Sequence, residues 1–107
     1  MNSSRKIVLV APAIPGWRVL QHSFGNLPPL GLVVLGTRLV QEGYSVKIID
    51  FRQPEENEAS LRREIVDALF VGFSVMTAQI GDALRLSHTV RELAPTLPVV
   101  WGGIHPT

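Results

Sequence analysis

Residues 69–75 read LFVGFSV, Leu69–Val75, a run with no charged residue and a single hydroxyl. A short apolar run of this kind is typical of a strand that is buried on both faces of a parallel sheet. Three further segments are also short and mainly apolar. They are KIVLVAP (Lys6–Pro12), YSVKIIDF (Tyr44–Phe51) and LPVVWGG (Leu97–Gly103).

Helical segments separate these four predicted strands. Residues 27–43 begin with two prolines at the helix entry and end at Gly43, a typical C-cap residue. Residues 54–68 are acidic in their first turn, and residues 78–95 have Ile80, Leu84, Ser87, Val90 and Ala94 on one predicted inner face.

Strands that alternate with helices predict a parallel sheet with right-handed crossovers. We therefore expect an α/β fold, a flavodoxin-like (Rossmann-like) doubly wound parallel sheet in a single domain of residues 1–107. The flavodoxin-like order has five strands, 2-1-3-4-5. With four strands and three helices, the domain is expected to be truncated, its last helix and strand missing.

The composition excludes several classes of function. The chain has 107 residues, 46% of them hydrophobic and 18% charged, with net charge +1. Its basic residues are scattered, so no nucleic-acid partner is expected. There is no cysteine, which excludes disulfides, cysteine-ligated zinc and iron–sulfur clusters within this chain. We expect a cytoplasmic location and no membrane span.

Doubly wound sheets bind ligands at the carboxyl ends of their strands, beside the point where the strand order reverses. Residues 12–16, 74–77 and 102–105 are predicted to meet there. Gly102 and Gly103 lack a Cβ and allow a bulky group to approach the backbone. A structural explanation competes with a binding site, since the glycines could form a turn and Thr77 could cap the third helix. The candidate binding residues are Pro12, Ala13, Ile14, Ser74, Val75, Met76, Thr77, Gly102, Gly103, Ile104 and His105.

Several ligands and reactions lack their motifs. The dinucleotide fingerprint G-x-G-x-x-G does not follow the first strand, and GNLPPLG lacks the lysine and hydroxyl of a phosphate-binding P-loop. The acidic residues of a phospho-receiver are absent after strands one and three. A triad of Ser74, His105 and Asp50 is conceivable, but Ser74 lacks a nucleophile-elbow context. We therefore assign no catalytic residue and no metal ligand.

Two motifs carry a family resemblance. G-x-S-x-M-T spans Gly72–Thr77, and P-V-V-x-G-G-x-H-P-T spans Pro98–Thr107. With PPLGLVVLGTRLVQEGYSVKIID upstream, these residues resemble the cobalamin-binding domains at the N-terminus of radical S-adenosylmethionine enzymes. That class includes anaerobic cyclases of tetrapyrrole biosynthesis and methyltransferases. The resemblance extends from Lys6 to Thr107.

The resemblance implies a role for four residues. In such domains the nucleotide tail of cobalamin inserts between the sheet and a helix, a serine contacts the tail, and paired glycines let it pass. Carried over by motif, these residues are Ser74, Thr77, Gly102 and Gly103. The resemblance also implies that a downstream domain of the same parent chain holds a [4Fe–4S] cluster and S-adenosylmethionine. The chain itself would be catalytically inert and would hold the corrin for that domain in the intact protein. Because the missing strand and helix would complete one wall of the site, residues 1–107 alone are expected to bind cobalamin weakly or not at all.

One departure from related domains is clear. Methionine-synthase-like domains carry D-x-H-x-x-G after the first strand, where the histidine is the lower ligand of cobalt. This chain has Gly16 there without the acid or the histidine, and His22 lies in the loop at another spacing. Two alternatives stay open. One is a scaffold or interaction domain with a degenerate crevice, and the other is an enzyme for another small ligand at the same rim.

The last strand raises a question of assembly. Residues 97–102 carry no charge, and Pro98 is the one residue near their start that would hinder strand pairing. An exposed apolar edge strand is a template for pairing with another chain. We therefore expect self-association, as a symmetric dimer, through this edge or the apolar surface beside it.

Overall fold

The computed structural model describes residues 5–14, 29–52, 58–76 and 79–103. Within these ranges four strands alternate with three helices, which confirms the predicted α/β class. In chain order the elements are β1 (Lys6–Ala11), α1 (Leu30–Gln41), β2 (Ser45–Asp50), α2 (Glu58–Glu64), β3 (Ala68–Ser74), α3 (Ile80–Leu93) and β4 (Val99–Gly102).

The sheet is parallel throughout and has the order β2-β1-β3-β4. β1 lies at its centre, where Val10 pairs with Ile49 on one side and Phe73 on the other. β3 continues the sheet to β4, and Ser74 pairs with Gly102 at the carboxyl edge. This is the beginning of the predicted flavodoxin-like order, and its reversal point lies between β1 and β3.

Alternation along β1 divides its side chains between two cores. Val8 and Val10 face one side of the sheet, where α2 and α3 pack, and Ile7 and Leu9 face the other, where α1 packs. All four are at most 1% exposed, as expected for the central strand of a parallel sheet. The apolar run of the sequence is explained by this burial on both faces.

The two faces of the sheet are covered unequally. The core on the side of α2 and α3 contains eleven buried residues, and that on the side of α1 contains four among the residues described. α1 lies against β1 and β2, and a Cβ at Gly36 would be 3.3 Å from Val46 Cγ1. β4 is less protected, since Val100 is 52% exposed.

The helix boundaries and faces differ from the prediction in three respects. α2 ends at Glu64, and Ala68 is the first residue of β3 instead of part of the helix. The buried face of α3 is formed by Ala83, Leu86 and Val90, whereas Leu84 is 48% exposed. Gln79 occupies the N-cap position of α3 that was expected for Thr77, which lies outside the described residues. Gly43 follows α1 with φ +97°, as predicted for a C-cap glycine.

Candidate functional site

A groove lies over the α1-facing side of β3 and β4, beside the first turns of α1. We call it the sheet groove. Its cavity has a volume of about 330 Å³, near the lower limit for small-ligand sites. The described residues that line it are Leu9, Gly31, Leu32, Leu35, Phe70, Gly72, Phe73, Ser74, Val100, Gly102 and Gly103.

Strand alternation arranges the groove in levels. Ser74 and Gly102 pair at the carboxyl edge of the sheet and form the rim. One level deeper, Gly72 lies between Leu9 of β1 and Val100 of β4. Phe70 lies at the deepest level on β3, since side chains two residues apart share a face. The groove therefore runs from the carboxyl edge inward along β3.

Two glycines line this groove, and their surroundings differ. A Cβ at Gly72 would lie 3.1 Å from Leu9 Cδ2 and 3.6 Å from Phe70 Cε1, so glycine at this position makes room for those two side chains. A Cβ at Gly102 would meet no atom within 4 Å among the residues described. Gly102 therefore leaves the rim of the groove unobstructed.

Gly103 has a separate, structural reason to be glycine. Its φ is +108°, a conformation that L side chains rarely adopt. A Cβ there would lie 3.0 Å from the carbonyl oxygen of Val75 and 3.1 Å from its nitrogen. The alternative explanation of the sequence, that the glycines form a turn, therefore fits Gly103 but not Gly102.

The lining of the sheet groove is apolar. Among its described residues the Ser74 hydroxyl is the one polar side chain, and none is ionisable. No group of three or more His, Asp or Glu that could hold a metal ion occurs in the described part of the chain. The groove therefore suits a flat apolar group with few hydrogen-bonding atoms, and not a charged ligand.

The segment that follows β1 is fastened to the start of α3 by Gln79. Gln79 is buried, with 4% of the residue exposed. Its side-chain Nε2 donates to the carbonyl oxygen of Pro12 at 2.8 Å. Its Oε1 accepts from the backbone N–H of Met76 at 2.9 Å. One buried amide therefore joins the segments that follow β1 and β3 at the carboxyl edge.

Asp82 provides a second attachment for the same segment. Its Oδ2 accepts from the N–H of Ala13 at 2.7 Å, while Oδ1 accepts from Arg85 at 2.7 and 2.9 Å. Arg85 also pairs with Glu58 of α2. The hydrogen bond to Asp82 raises the pKa of the Arg85 guanidinium, against the opposing effect of burial. The loop after β1 is thereby tied to both α3 and α2.

The structure separates the sequence-predicted site residues into three groups. Ser74, Gly102 and Gly103 line the sheet groove. Pro12 is buried, Ala13 and Ile14 are partly buried, and Met76 is 42% exposed. Val75 is fully buried in the opposite core, beneath α2 and α3. Thr77, Ile104 and His105 lie outside the described residues, as does His22.

The structure gives no support to a triad that includes Asp50. Asp50 ends β2 and Ser74 ends β3, with β1 between them, so their backbones are two strand spacings apart, roughly 10 Å. The Asp50 carboxylate is engaged by Arg52, with Nε and Nη2 each donating at 2.8 Å. Asp50 is thus a structural partner of Arg52.

A second cavity, which we call the edge cleft, lies on the other face of β4. It measures about 480 Å³, and Trp101 Nε1 donates to Ser87 Oγ at 2.9 Å beside it. Leu84 and His88 line it together, one helical turn apart on α3. The described lining is Leu84, Ser87, His88, Arg91, Val99 and Trp101.

Comparison with known proteins agrees with this architecture. A family model described as "B12 binding domain" matches residues 16–107. The anaerobic magnesium-protoporphyrin IX monomethyl ester cyclase of Synechocystis sp. (strain ATCC 27184 / PCC 6803 / Kazusa) is 31% identical over 108 residues. That alignment covers 95% of this chain and 21% of the cyclase. No solved structure matches the chain.

The comparisons confirm the resemblance to cobalamin-binding domains that the sequence motifs carried. The family model includes α1, β3, β4 and Gly103, which supply the described lining of the sheet groove except for Leu9 of β1. None of the helices in the described ranges is both long and apolar enough to cross a membrane. The chain belongs to the B12 binding domain family.

Proposed function

We propose that this chain binds cobalamin, with the nucleotide tail of the cofactor in the sheet groove and the corrin ring at the carboxyl edge of the sheet. The observation that carries the proposal is an apolar groove with an unobstructed rim at Gly102 and one hydroxyl beside it, that of Ser74. Its position at the carboxyl ends of the strands is where doubly wound sheets bind ligands. The open groove favours this function over a scaffold domain with a degenerate crevice.

The residues of the groove fit the chemistry of the tail. Leu9, Leu32 and Leu35 offer apolar contacts to a flat aromatic base, and Val100 covers its other edge. The Ser74 hydroxyl can donate to a ring nitrogen or a phosphate oxygen. Gly102 lets the tail pass the rim without a steric barrier. Bound cobalamin supplies a redox-active cobalt ion in a corrin ring.

The chain's own contribution is binding and orientation. Gln79 and Asp82 hold the segment after β1 in place beside the rim, through the contacts to Pro12 and Ala13. Because this segment is fixed, it limits the positions that the corrin ring can occupy. No residue of the groove is suited to proton transfer or nucleophilic attack, so the chemistry itself belongs elsewhere.

We further propose that the chemistry resides in another domain, which carries an iron–sulfur cluster and S-adenosylmethionine. The support is the similar cyclase, of which this chain spans only 21%. On this proposal the chain is the cobalamin module of a radical S-adenosylmethionine enzyme. An anaerobic cyclase of tetrapyrrole biosynthesis is the reaction type that the 31% identity favours.

Titration with cobalamin tests the binding proposal directly. The corrin's visible absorption is followed as the chain is added, and we expect a saturable change. Gly102→Leu should weaken binding at least tenfold, because its side chain enters the rim of the groove. Gly81→Leu is the matched control, since Gly81 on α3 is also exposed with no atom within 4 Å of a Cβ. An absent spectral change, or equal affinity of Gly102→Leu and the unchanged chain, contradicts the proposal.

We also propose that the chain self-associates through β4. This strand ends the described sheet, and none of its four residues is charged. Cavities lie along both of its faces, the sheet groove on one and the edge cleft on the other. An uncharged edge with unfilled space on both sides favours addition of a further strand.

A further inference from the structure

We infer that the sheet groove selects corrinoids by the base at the end of the nucleotide tail, accepting a benzimidazole and disfavouring a purine. The inference rests on the proposed binding of cobalamin and goes beyond it, because corrinoids share the ring and differ in this base. Its basis is the number of hydrogen-bonding groups that the groove can offer at each depth.

The groove is deep enough for the base to lie inside it. From Ser74 at the rim to Phe70 at the inner end is four residues of β3, about 13 Å at the rise of a parallel strand. Gly72 lines the middle of that path, beside the side chains of Leu9 and Phe70, and a Cβ there would crowd Leu9 Cδ2 at 3.1 Å. A base that enters past Ser74 and Gly102 therefore comes to rest between Leu9, Leu32 and Val100.

The inner part of the groove has no hydrogen-bonding side chain among the residues described. Its side chains are those of leucine, valine and phenylalanine. The backbone at Gly72 is in the middle of the sheet, paired with Leu9 on one side and Val100 on the other. The strand ladders already use these amides and carbonyls, so a ligand meets only hydrocarbon at this depth.

The two kinds of base differ in how many polar atoms they bring. In the tail, dimethylbenzimidazole has one free ring nitrogen, and its remaining surface is hydrocarbon. Adenine adds further ring nitrogens and an exocyclic amine. The single hydroxyl of Ser74 can satisfy one nitrogen, which matches the benzimidazole and leaves the extra polar atoms of the purine without partners.

An unpaired polar atom carries a penalty on binding. Burying one without a partner weakens affinity by roughly 5-fold to 150-fold. A purine would leave more than one such atom in the groove, although those nearest the rim can keep contact with water. We therefore expect the purine-containing corrinoid to bind at least tenfold more weakly.

Three corrinoids test the inference: cobalamin, adenylcobamide and cobinamide, which has no tail. Dissociation constants are measured by calorimetry on the unmodified chain. Tightest binding of cobalamin, with adenylcobamide at least tenfold weaker, supports the inference. Equal affinities for these two, or tighter binding of adenylcobamide, overturns it while the proposed function stands. Binding of none of the three, or cobinamide binding as tightly as cobalamin, refutes tail insertion and the inference with it.

A variant that adds a partner inside the groove provides an independent check. Val100 is 52% exposed and lines the inner level, so Val100→Asn places an amide there without burying it in the core. We expect this amide to reduce the preference for cobalamin over adenylcobamide at least threefold. Val34→Asn, at a 70% exposed position of α1 outside the groove, is the control and should leave the preference unchanged. An unchanged preference in Val100→Asn contradicts the inference.

Discussion

Gly102 and Gly103 are neighbours in the chain, but they are subject to different constraints. Gly103 has a positive φ and lies against the backbone of Val75, whereas Gly102 faces open space. Gly103→Ala should therefore reduce the free energy of unfolding by about 1–3 kcal/mol. Gly102→Ala should change it by less than about 0.5 kcal/mol. Urea denaturation of both variants measures the difference, and equal losses would show that the turn at Gly103 is not strained by a side chain.

Gln79 allows a second prediction at the level of one side chain. Gln79→Met keeps the length of the side chain but leaves the carbonyl of Pro12 and the N–H of Met76 without their partner. A buried unpaired group costs about 1–3 kcal/mol, and the part-buried N–H of Met76 should cost about 1 kcal/mol, at the lower end of this range. A total loss of about 2–4 kcal/mol of unfolding free energy is therefore expected. Gln41→Met, at the exposed end of α1, serves as the control. Similar stability of the two variants, measured by thermal or urea unfolding, would rule out the bridging role.

The sequence pointed to some of these residues and not to others. Ser74 and Gly102 could be predicted, because they follow recognisable strands and the carboxyl edge is where such sheets bind. Gly72 could have been found by counting two residues back from Ser74 along the strand. Gln79 could not, because its role depends on Pro12, 67 residues away in the chain. A buried glutamine before a helix has the same local pattern as an exposed one.

Between elements, Lys6 connects the start of β1 to the end of α2. Its Nζ lies 2.9 Å from Glu64 Oε1 and 3.3 Å from Asp67 Oδ1. Burial lowers the pKa of the Lys6 ammonium, but the hydrogen bonds to Glu64 and Asp67 outweigh it, so the pKa is raised above 10.5. The hydrogen bond from Lys6 lowers the pKa of Glu64 below 4.5, against the effect of burial.

These shifts determine the pH range in which the connection stabilises the fold. The contribution of Glu64 is present above its ordinary pKa of 4.5 and is lost as pH falls through the lower folded value. The contribution of Lys6 is present below 10.5 and is lost as pH rises through its raised value. The coupling between the two should therefore be constant between these limits.

A double-mutant cycle of Lys6→Met and Glu64→Gln measures this coupling. We expect about 0.5–1 kcal/mol at pH 7, since both side chains are about four-fifths buried by their surroundings. The coupling should disappear at a pH well below 4.5. Arg38 and Glu42 on α1 form a more exposed pair, 72% and 55%, and should show less coupling at pH 7. A coupling that persists unchanged in acid would show that it does not depend on the Glu64 charge.

The elements were predicted more reliably than their faces. Each strand was located to within two residues, because continuous apolar runs bounded by turns are distinctive. The predicted inner face of α3 was correct at Ile80, Val90 and Ala94, which lie in or against the core. It was wrong at Leu84 and Ser87, which border the edge cleft. Hydrophobicity alone cannot distinguish a core position from one that borders an open cleft.

At the scale of the whole molecule, the edge of β4 at which the described sheet ends is the basis of the proposed self-association. Sedimentation at several concentrations should show a monomer–dimer equilibrium. Val100→Lys should shift it toward the monomer, because a charge on an edge strand opposes pairing. Val34→Lys, on the exposed face of α1, should leave it unchanged. A monomer at all concentrations contradicts the proposal. Dissociation by Val34→Lys but not by Val100→Lys would show that the interface lies on α1 instead of β4.

Because one face of the sheet is less covered than the other, a ligand bound to that face would shift the folding equilibrium. The side beneath α2 and α3 is a core that borders the edge cleft at β4, whereas over β3 and β4 the other side meets the more apolar lining of the sheet groove. A ligand bound in the groove covers this face of the sheet in the native protein, and the unfolded chain cannot bind it. At a free concentration one hundred times its dissociation constant, it adds about 2.7 kcal/mol to the native state. On the proposed binding, the chain's stability therefore depends on the ligand concentration, and a substitution that weakens binding without changing the unliganded fold lowers the fraction of folded chain only where the ligand is abundant.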